Sequence, residues 1–217
     1  MFKAVLFDFD GVLVDSMPFH VQAWQEVFRA YGIEIRPEEV LLTEGCRSIE
    51  LAAKVFAEHG RSAGNGALQE LVARKQRRYQ EITKASMDEA APGLITRLKN
   101  ENRFTGLVTG TSRSNVEKVL SREHLARFDV LVTGDEVANG KPDPEAYLKA
   151  AEILEVPSSE CLVVENAPLG IQAAKRAGMN VVALTTTLDV HLLKGADFYA
   201  ENLADLEKNW ERMDCFD

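Results

Sequence analysis

The sequence is short of cysteine, of positive charge and of long apolar runs, and each shortage excludes something. Of 217 residues three are cysteines, Cys46, Cys161 and Cys215, far apart and odd in number. They offer neither a zinc spacing nor a disulfide framework, so they read as inert thiols in a reducing compartment. No apolar stretch is long enough to span a bilayer, and no signal-peptide pattern follows Met1. The expected location is cytoplasmic, with no membrane partner. Lys and Arg total 25 against 34 Asp and Glu, a net charge of -9. That balance argues against nucleic acid as a partner. It leaves room for a phosphorylated small molecule, whose charge a local lysine or metal ion can meet. Internal repeats and low-complexity segments are also missing. What remains is ordinary for a globular protein, 46% hydrophobic and 27% charged, and long enough for one large domain or one domain plus a smaller one.

The apolar pattern then divides the chain. Ala4-Val5-Leu6-Phe7 is a short continuous apolar run, the mark of a strand buried on both faces of a parallel sheet. From about residue 16 to 88 the pattern is helical, with no convincing strand. Trp24, Val27, Phe28 and Tyr31 recur at helical spacing before Gly32. Ser48 opens a second helix carrying Ile49, Ala52, Ala53 and Phe56, and Arg61 to Gly66 reads as a loop. Leu68, Leu71, Val72, Lys75, Tyr79 and Ile82 mark one face of a longer helix. After Ala91-Pro92-Gly93 strands and helices alternate. Strands are expected over Phe104 to Val108, Phe128 to Val132, Cys161 to Val164 and Val181 to Leu184. Helices are expected around Leu94–Leu98, Val116–Leu120, Tyr147–Leu154 and Ile171–Ala177. This rhythm predicts an α/β fold: a three-layer parallel-sheet core interrupted after its first strand by a helical insertion. Asp197 to Asp217 reads as a short strand and a weak structural helix with Trp210.

Ligands of open parallel sheets bind beyond the carboxyl ends of the strands. The first strand ends in Asp8 and Asp10, with Gly11 turning the chain. The second ends in Thr109-Gly110-Thr111-Ser112. Gly140-Lys141-Pro142-Asp143-Pro144 follows the third, and Glu165-Asn166 closes the fourth. Singly, each has a plain structural explanation: a polar strand terminus, a helix cap at Thr109, a loop lysine, a surface glutamate. Four such groups at four strand ends instead point to a site for a phosphate and a divalent cation. A carboxylate can attack phosphorus, a second can move the proton, and a metal and a lysine can screen the charge.

These residues resemble the haloacid dehalogenase superfamily of phosphotransferases, over essentially the whole chain. The match runs through Asp8-Phe9-Asp10-Gly11-Val12-Leu13-Val14-Asp15-Ser16, Thr109, Gly140-Lys141-Pro142-Asp143-Pro144, Glu165-Asn166, Gly170-Ile171-Gln172-Ala173-Ala174 and Ala177-Gly178-Met179. The resemblance implies a Rossmann-like core over 1–15 and 89–217 with a helical cap domain over 16–88. It implies Asp8 as nucleophile and Asp10 as general acid/base. Thr109, Gly110 and Lys141 would bind the phosphoryl group. Mg²⁺ would be held by Asp8, the Asp10 carbonyl and the fourth motif, Glu165 or Asn166. Asp10 points to phosphate esters, since the dehalogenases themselves lack an acid there.

Within the superfamily the chain looks most like the β-phosphoglucomutase-like group. His20 and Trp24 match that group's hinge-side helix, and Lys75 with Tyr79 the cap helix facing the site. Glu44-Gly45-Cys46-Arg47 resembles its substrate loop, although Arg47 falls early. On their own, His20 and Trp24 also fit plain packing, and Lys75 a solvated charge. His20, Arg47 and Lys75 are the expected substrate-side residues. One departure stands out: the motif that usually reads Glu-Asp or Asp-Asp is Glu165-Asn166 here. The expected activity is a Mg²⁺-dependent phosphatase of a small phosphorylated metabolite, most naturally a sugar phosphate, in a monomer or weak homo-oligomer. The alternatives are a sugar-phosphate mutase and a non-catalytic regulatory protein that kept the fold.

Overall fold

A computed structural model describes residues 1–214, with side chains through 212. Six strands form one parallel sheet in the order β3-β2-β1-β4-β5-β6: β1 Ala4–Phe7, β2 Phe104–Val108, β3 Val130–Val132, β4 Cys161–Glu165, β5 Asn180–Leu184 and β6 Phe198–Ala200. Both faces of the central strands are buried, so their apolar runs are continuous and side chains alternate between two cores. Val5, Phe7, Leu162, Val164 and Val182 face one core. Ala4, Leu6, Val163, Val181 and Ala183 face the other. Helix α5 (Ala91–Asn100) covers the first face with α10 (Leu203–Lys208) and Trp210, which opens α11 (Trp210–Asp214). Helices α8 (Glu145–Ile153) and α9 (Pro168–Arg176) cover the second. Cys215 and the last residues of the expected C-terminal helix lie outside the described residues.

Between β1 and α5 stand α1 (Met17–Arg29), α2 (Pro37–Leu41), α3 (Ser48–Glu58) and α4 (Asn65–Ile82). They close on a third apolar cluster that includes Trp24, Phe28, Val55, Phe56 and Leu71. The chain leaves and re-enters the sheet layer side by side: Val14 bridges Met87, and the Asp88 N–H donates to the Leu13 carbonyl at 2.8 Å. Among the described residues no helix is long and apolar enough to cross a membrane.

The elements depart from expectation at their ends. Helix α4 begins at Asn65, inside the stretch read as loop, and β3 begins at Val130 rather than Phe128. Helix α6 (Arg113–Val119) stops before Leu120, which is extended, and α7 (Arg122–Leu125) follows, capped by the Ser121 hydroxyl on the His124 N–H at 3.2 Å. Helix α2 escapes a sequence reading because Arg36, not a Ser, Thr, Asp or Asn, sits at its N-cap. Glu39 returns to the Arg36 N–H at 2.9 Å and starts the helix regardless.

Register brings the strand ends level. Phe7 pairs with both Leu107 and Val164, so Asp8 emerges between β2 and β4, where the connections diverge to opposite sides of β1. Ligands of doubly wound sheets enter at that switch point.

Candidate active site

Asp8 is almost fully buried, and its Oδ1 accepts from the Lys141 ammonium. Lys141 also donates to Glu165 Oε1 at 2.6 Å and lies 5.0 Å from the Tyr147 ring centre. Glu165 is fixed on all sides: the Tyr147 hydroxyl donates to Oε1 at 2.8 Å, and the N–H groups of Asn166 and Ala167 donate to Oε2 at 2.9 and 3.2 Å. Gly170 on α9 leaves the room; a Cβ there would fall 1.7 Å from Glu165 Oε1. Burial, reinforced by the Glu165 and Asp10 carboxylates, pushes the Asp8 carboxyl up to about 8 against the pull of Lys141. Burial disfavours the Lys141 charge, but Asp8 and Glu165 outweigh it and hold the ammonium well above its usual range.

Asp10 has a different neighbourhood. Oδ1 accepts from the Ser16 hydroxyl at 2.5 Å and faces His20 Nε2 at 3.1 Å; Oδ2 accepts from the Thr111 hydroxyl at 2.5 Å. Burial favours the neutral acid, yet His20 and these hydrogen bonds outweigh it and hold the carboxyl well below the ordinary range. His20 Nδ1 faces the Lys75 ammonium at 2.6 Å, and its ring stacks on Tyr79 with centres 4.0 Å apart. Burial, then Lys75, pushes the His20 pKa down. A neutral ring therefore accepts at Nδ1 and donates from Nε2 to Asp10, a tautomer assigned from the partners.

Lys75, expected on the substrate side, is buried, which sets aside only the alternative of a solvated charge, and burial pushes its pKa down from 10.5 to about 8. An ammonium less basic in the folded chain than in the unfolded one penalises the fold wherever it is charged. Between the folded and unfolded pKa the unfolded chain binds more protons, so stability rises with pH there. Measured by urea unfolding, wild type is expected to gain stability relative to Lys75→Met as pH rises from about 8 to 10.5. The gain is on the order of 3 kcal/mol. A pH-independent difference between the two proteins would contradict the assignment.

At the end of β4, Asn166 is fully buried against Gly11. Gly11 has φ +77°, and a Cβ there would fall 2.2 Å from Asn166 Nδ2, so only glycine fits both turn and contact. Asn166 Nδ2 donates to Thr187 Oγ1 at 3.0 Å and to Glu44 Oε2 and Oε1 at 3.2 and 3.4 Å. Its Oδ1 is buried with no hydrogen-bond partner. Glu44 comes from the loop between α2 and α3. Burial, then the Asp8, Asp10 and Glu165 carboxylates, pushes its carboxyl well above the usual range.

The structure thus gathers Asp8, Asp10, Lys141, Glu165 and Asn166, with His20 and Lys75 descending from the helical block. A cavity of about 400 Å³ opens over Asp8, Asp10, His20 and Lys75, bounded also by Trp24, Glu44, Gly45, Thr109, Gly110 and Ser112 among others, while Lys141, Glu165 and Asn166 are buried and do not line it. Thr109 caps no helix: its Oγ1 accepts the Thr111 N–H at 3.0 Å, and Ser112 stands at the α6 N-cap. Arg47, expected to read the substrate, borders the cavity, but its guanidinium donates to the Ala138 carbonyl at 3.0 Å and ties the block to the core. Further ties are Gln76 Nε2 to Ser112 Oγ at 3.1 Å and Gln80 Nε2 to Asn115 Oδ1 at 2.7 Å. Ser16, Thr111, Tyr147 and Glu44 complete the network; Ser16 and Thr111 lie within the first two sequence stretches and Glu44 within the loop resembling the substrate loop, whereas Tyr147 reads in the sequence only as a helix residue. Burial pushes the Cys46 and Cys161 thiols up to about 11, consistent with inert thiols.

A nucleophile-like carboxylate, a second carboxylate two residues on, and a lysine at the switch point of a parallel sheet define a phosphohydrolase or phosphotransferase. The chain belongs to the haloacid dehalogenase-like hydrolases, whose family model matches residues 5–184. It is 35% identical over 209 residues to validoxylamine A 7'-phosphate phosphatase of Streptomyces hygroscopicus subsp. limoneus, covering 95% of this chain and 96% of that one. It is 33% identical over 222 residues to β-phosphoglucomutase of Bacillus subtilis (strain 168), covering 97% and 96%. The solved structure of CbbY from Rhodobacter sphaeroides in complex with phosphate superposes with TM-score 0.78 at 27% identity, covering 95% and 96%.

Proposed function

We propose that the protein is a Mg²⁺-dependent phosphatase of small phosphorylated metabolites, sugar phosphates foremost, acting through an aspartyl phosphate. The observation that carries this reading is the pair of unequal carboxylates: Asp8 against Lys141 at the strand end, Asp10 held apart by Ser16, His20 and Thr111. Asp8 attacks phosphorus as the bond to the ester oxygen breaks, and Asp10 gives that oxygen its proton. Asp10 is ionised at rest. The arriving phosphoryl dianion raises its pKa, so Asp10 takes up a proton from solvent as the substrate binds and can then give it to the leaving oxygen. Water then attacks the aspartyl phosphate, Asp10 takes the proton, and Asp8 is regenerated. Lys141, the Thr109 hydroxyl and the Gly110 N–H would hold the phosphoryl oxygens.

The residues fit a hard divalent cation. Asp8, the Asp10 carbonyl and Asn166 Oδ1 offer oxygen only, as Mg²⁺ prefers. Among the described residues no group of three or more His, Cys, Asp or Glu is arranged for a metal; the set proposed here takes two of its three oxygens from amides. Of the two residues at the fourth strand end, Glu165 already accepts four hydrogen bonds, whereas Asn166 Oδ1 accepts none. Asn166 is therefore the ligand and Glu165 the anchor of Lys141. A bound cation would supply charge neutralisation in a site where four carboxyl groups, Asp8, Asp10, Glu44 and Glu165, crowd together with two lysines, Lys75 and Lys141. The helical block over 16–88 acts as the cap that excludes water and reads the rest of the substrate.

The test is release of inorganic phosphate from a panel of sugar and sugar-alcohol phosphates with and without Mg²⁺, alongside β-glucose 1-phosphate with a bisphosphate primer. Mg²⁺-dependent phosphate release without isomerisation is expected. Formation of glucose 6-phosphate would make the protein a mutase, a reading the B. subtilis relative favours. No turnover of any phosphate ester would leave the regulatory alternative.

A further inference from the structure

Asn166 is an uncharged residue where a phosphotransferase of this design would use a carboxylate, and its amide orientation is assigned from its hydrogen-bond partners. Both hydrogens on Nδ2 are taken, one by Thr187 Oγ1 at 3.0 Å and one by the Glu44 carboxylate at 3.2 and 3.4 Å. Oδ1 therefore points the other way, and it is the buried oxygen without a partner. A carboxylate that accepts from an amide N–H polarises the amide and makes its oxygen a stronger donor to a cation. Carboxylates behind metal-bound imidazoles act in the same way. A cation held at the amide oxygen in turn offsets the crowding by Asp8, Asp10 and Glu165 that disfavours the Glu44 charge in the cation-free protein.

Glu44 has no other evident task. Among the described residues it makes no ion pair, and Asn166 lies 122 positions away in the chain. Its place depends on the helical block resting on the core. The Thr43 hydroxyl donates to the Glu39 carbonyl at 2.7 Å and holds the loop. Gly45 sits over the Lys141 side chain, where a Cβ would fall 2.9 Å from its Cδ. Gly110 lies beneath the Gly45 carbonyl, and Arg47 reaches the Ala138 carbonyl at 3.0 Å.

We propose that Glu44, delivered by the cap, supplies from behind the Asn166 amide the negative charge that a carboxylate at 166 would bring to the cation. This rests on the cation reading above. It adds that the cation site is completed by a residue outside the core, so cap closure and cation affinity are thermodynamically linked and each favours the other. A site assembled this way binds its cation most tightly when the cap is seated.

Isothermal titration of Mg²⁺ into the substrate-free protein tests it without recourse to activity. Glu44→Gln keeps shape and hydrogen bonding while removing the charge, and is expected to weaken Mg²⁺ binding roughly 10- to 100-fold. Asn166→Asp in the Glu44→Gln background is expected to return affinity to near wild type. In the wild-type background the same substitution sets two carboxylates against each other and gains far less. Glu44→Gln with unchanged affinity, or an Asn166→Asp effect equal in both backgrounds, would overturn the inference while leaving the cation reading intact. A wild-type protein that binds no Mg²⁺ would overturn both. Thermal unfolding of each variant confirms that the fold is retained.

Discussion

Asp8→Asn is expected to lower Mg²⁺-dependent hydrolysis of p-nitrophenyl phosphate at least about 10³-fold, equivalent to about 4 kcal/mol of transition-state stabilisation. Asn is nearly isosteric with Asp but cannot form the covalent phosphate intermediate. The loss should fall on kcat, because the groups that hold the phosphoryl oxygens are unchanged. Stability should not fall in parallel. Asp8 is a buried carboxylate beside Glu165 and Asp10, and burial with those neighbours already pushes its pKa up to about 8. Removing its charge relieves repulsion, while Lys141 keeps Glu165 at 2.6 Å. Steady-state kinetics paired with thermal unfolding checks both halves. A variant within tenfold of wild type would mean that another group attacks phosphorus.

Glu165→Ala should instead cost stability, about 3–5 kcal/mol, because it breaks a buried ion pair and strands its partners. Lys141 would keep only Asp8 as a counter-charge. The Tyr147 hydroxyl and the N–H groups of Asn166 and Ala167 would lose their acceptor in a fully buried place. For a chain of this size the drop corresponds to a melting temperature lower by roughly 10 °C. Activity should fall as well, since Lys141 loses the partner that aims it. The control is Glu58→Ala, which removes a pair to Lys54 at 3.9 Å with both side chains about half exposed. Such pairs contribute about 0–1 kcal/mol. Similar losses from the two substitutions would show that Glu165 is not the anchor described.

Much of the fold was readable because its signals are local. A strand buried on both faces must be apolar throughout, and Ala4–Phe7 and Cys161–Val164 are. Helix α4 shows its buried stripe of Leu68, Leu71, Lys75 and Tyr79 at helical spacing. The motif residues were readable for a related reason: in a parallel sheet the groups just past each strand must meet at one edge. Less legible were features without a local signature, such as α2 with Arg36 at its cap, or Tyr147, which reads as one more apolar residue of α8 until Glu165 is found beneath its hydroxyl.

Asp8 and Asp10 make the division clear. Their identity, their spacing and their place at the end of β1 follow from the sequence, since a buried apolar run, two acids and a turning glycine dictate a strand terminus. What sets them apart does not. Lys141 faces Asp8 from 133 positions away, Thr111 reaches Asp10 from 101, and His20 arrives with the helical block. The same holds for Lys75, buried where a solvated charge was a fair reading, for Arg47, turned to a core carbonyl, and for Glu44, brought against Asn166. Backbone preference and hydrophobic period act over a few residues and can be read in a short window. Burial, charge pairing and the orientation of an amide depend on which distant segments share the same few ångströms, and only the folded chain decides that.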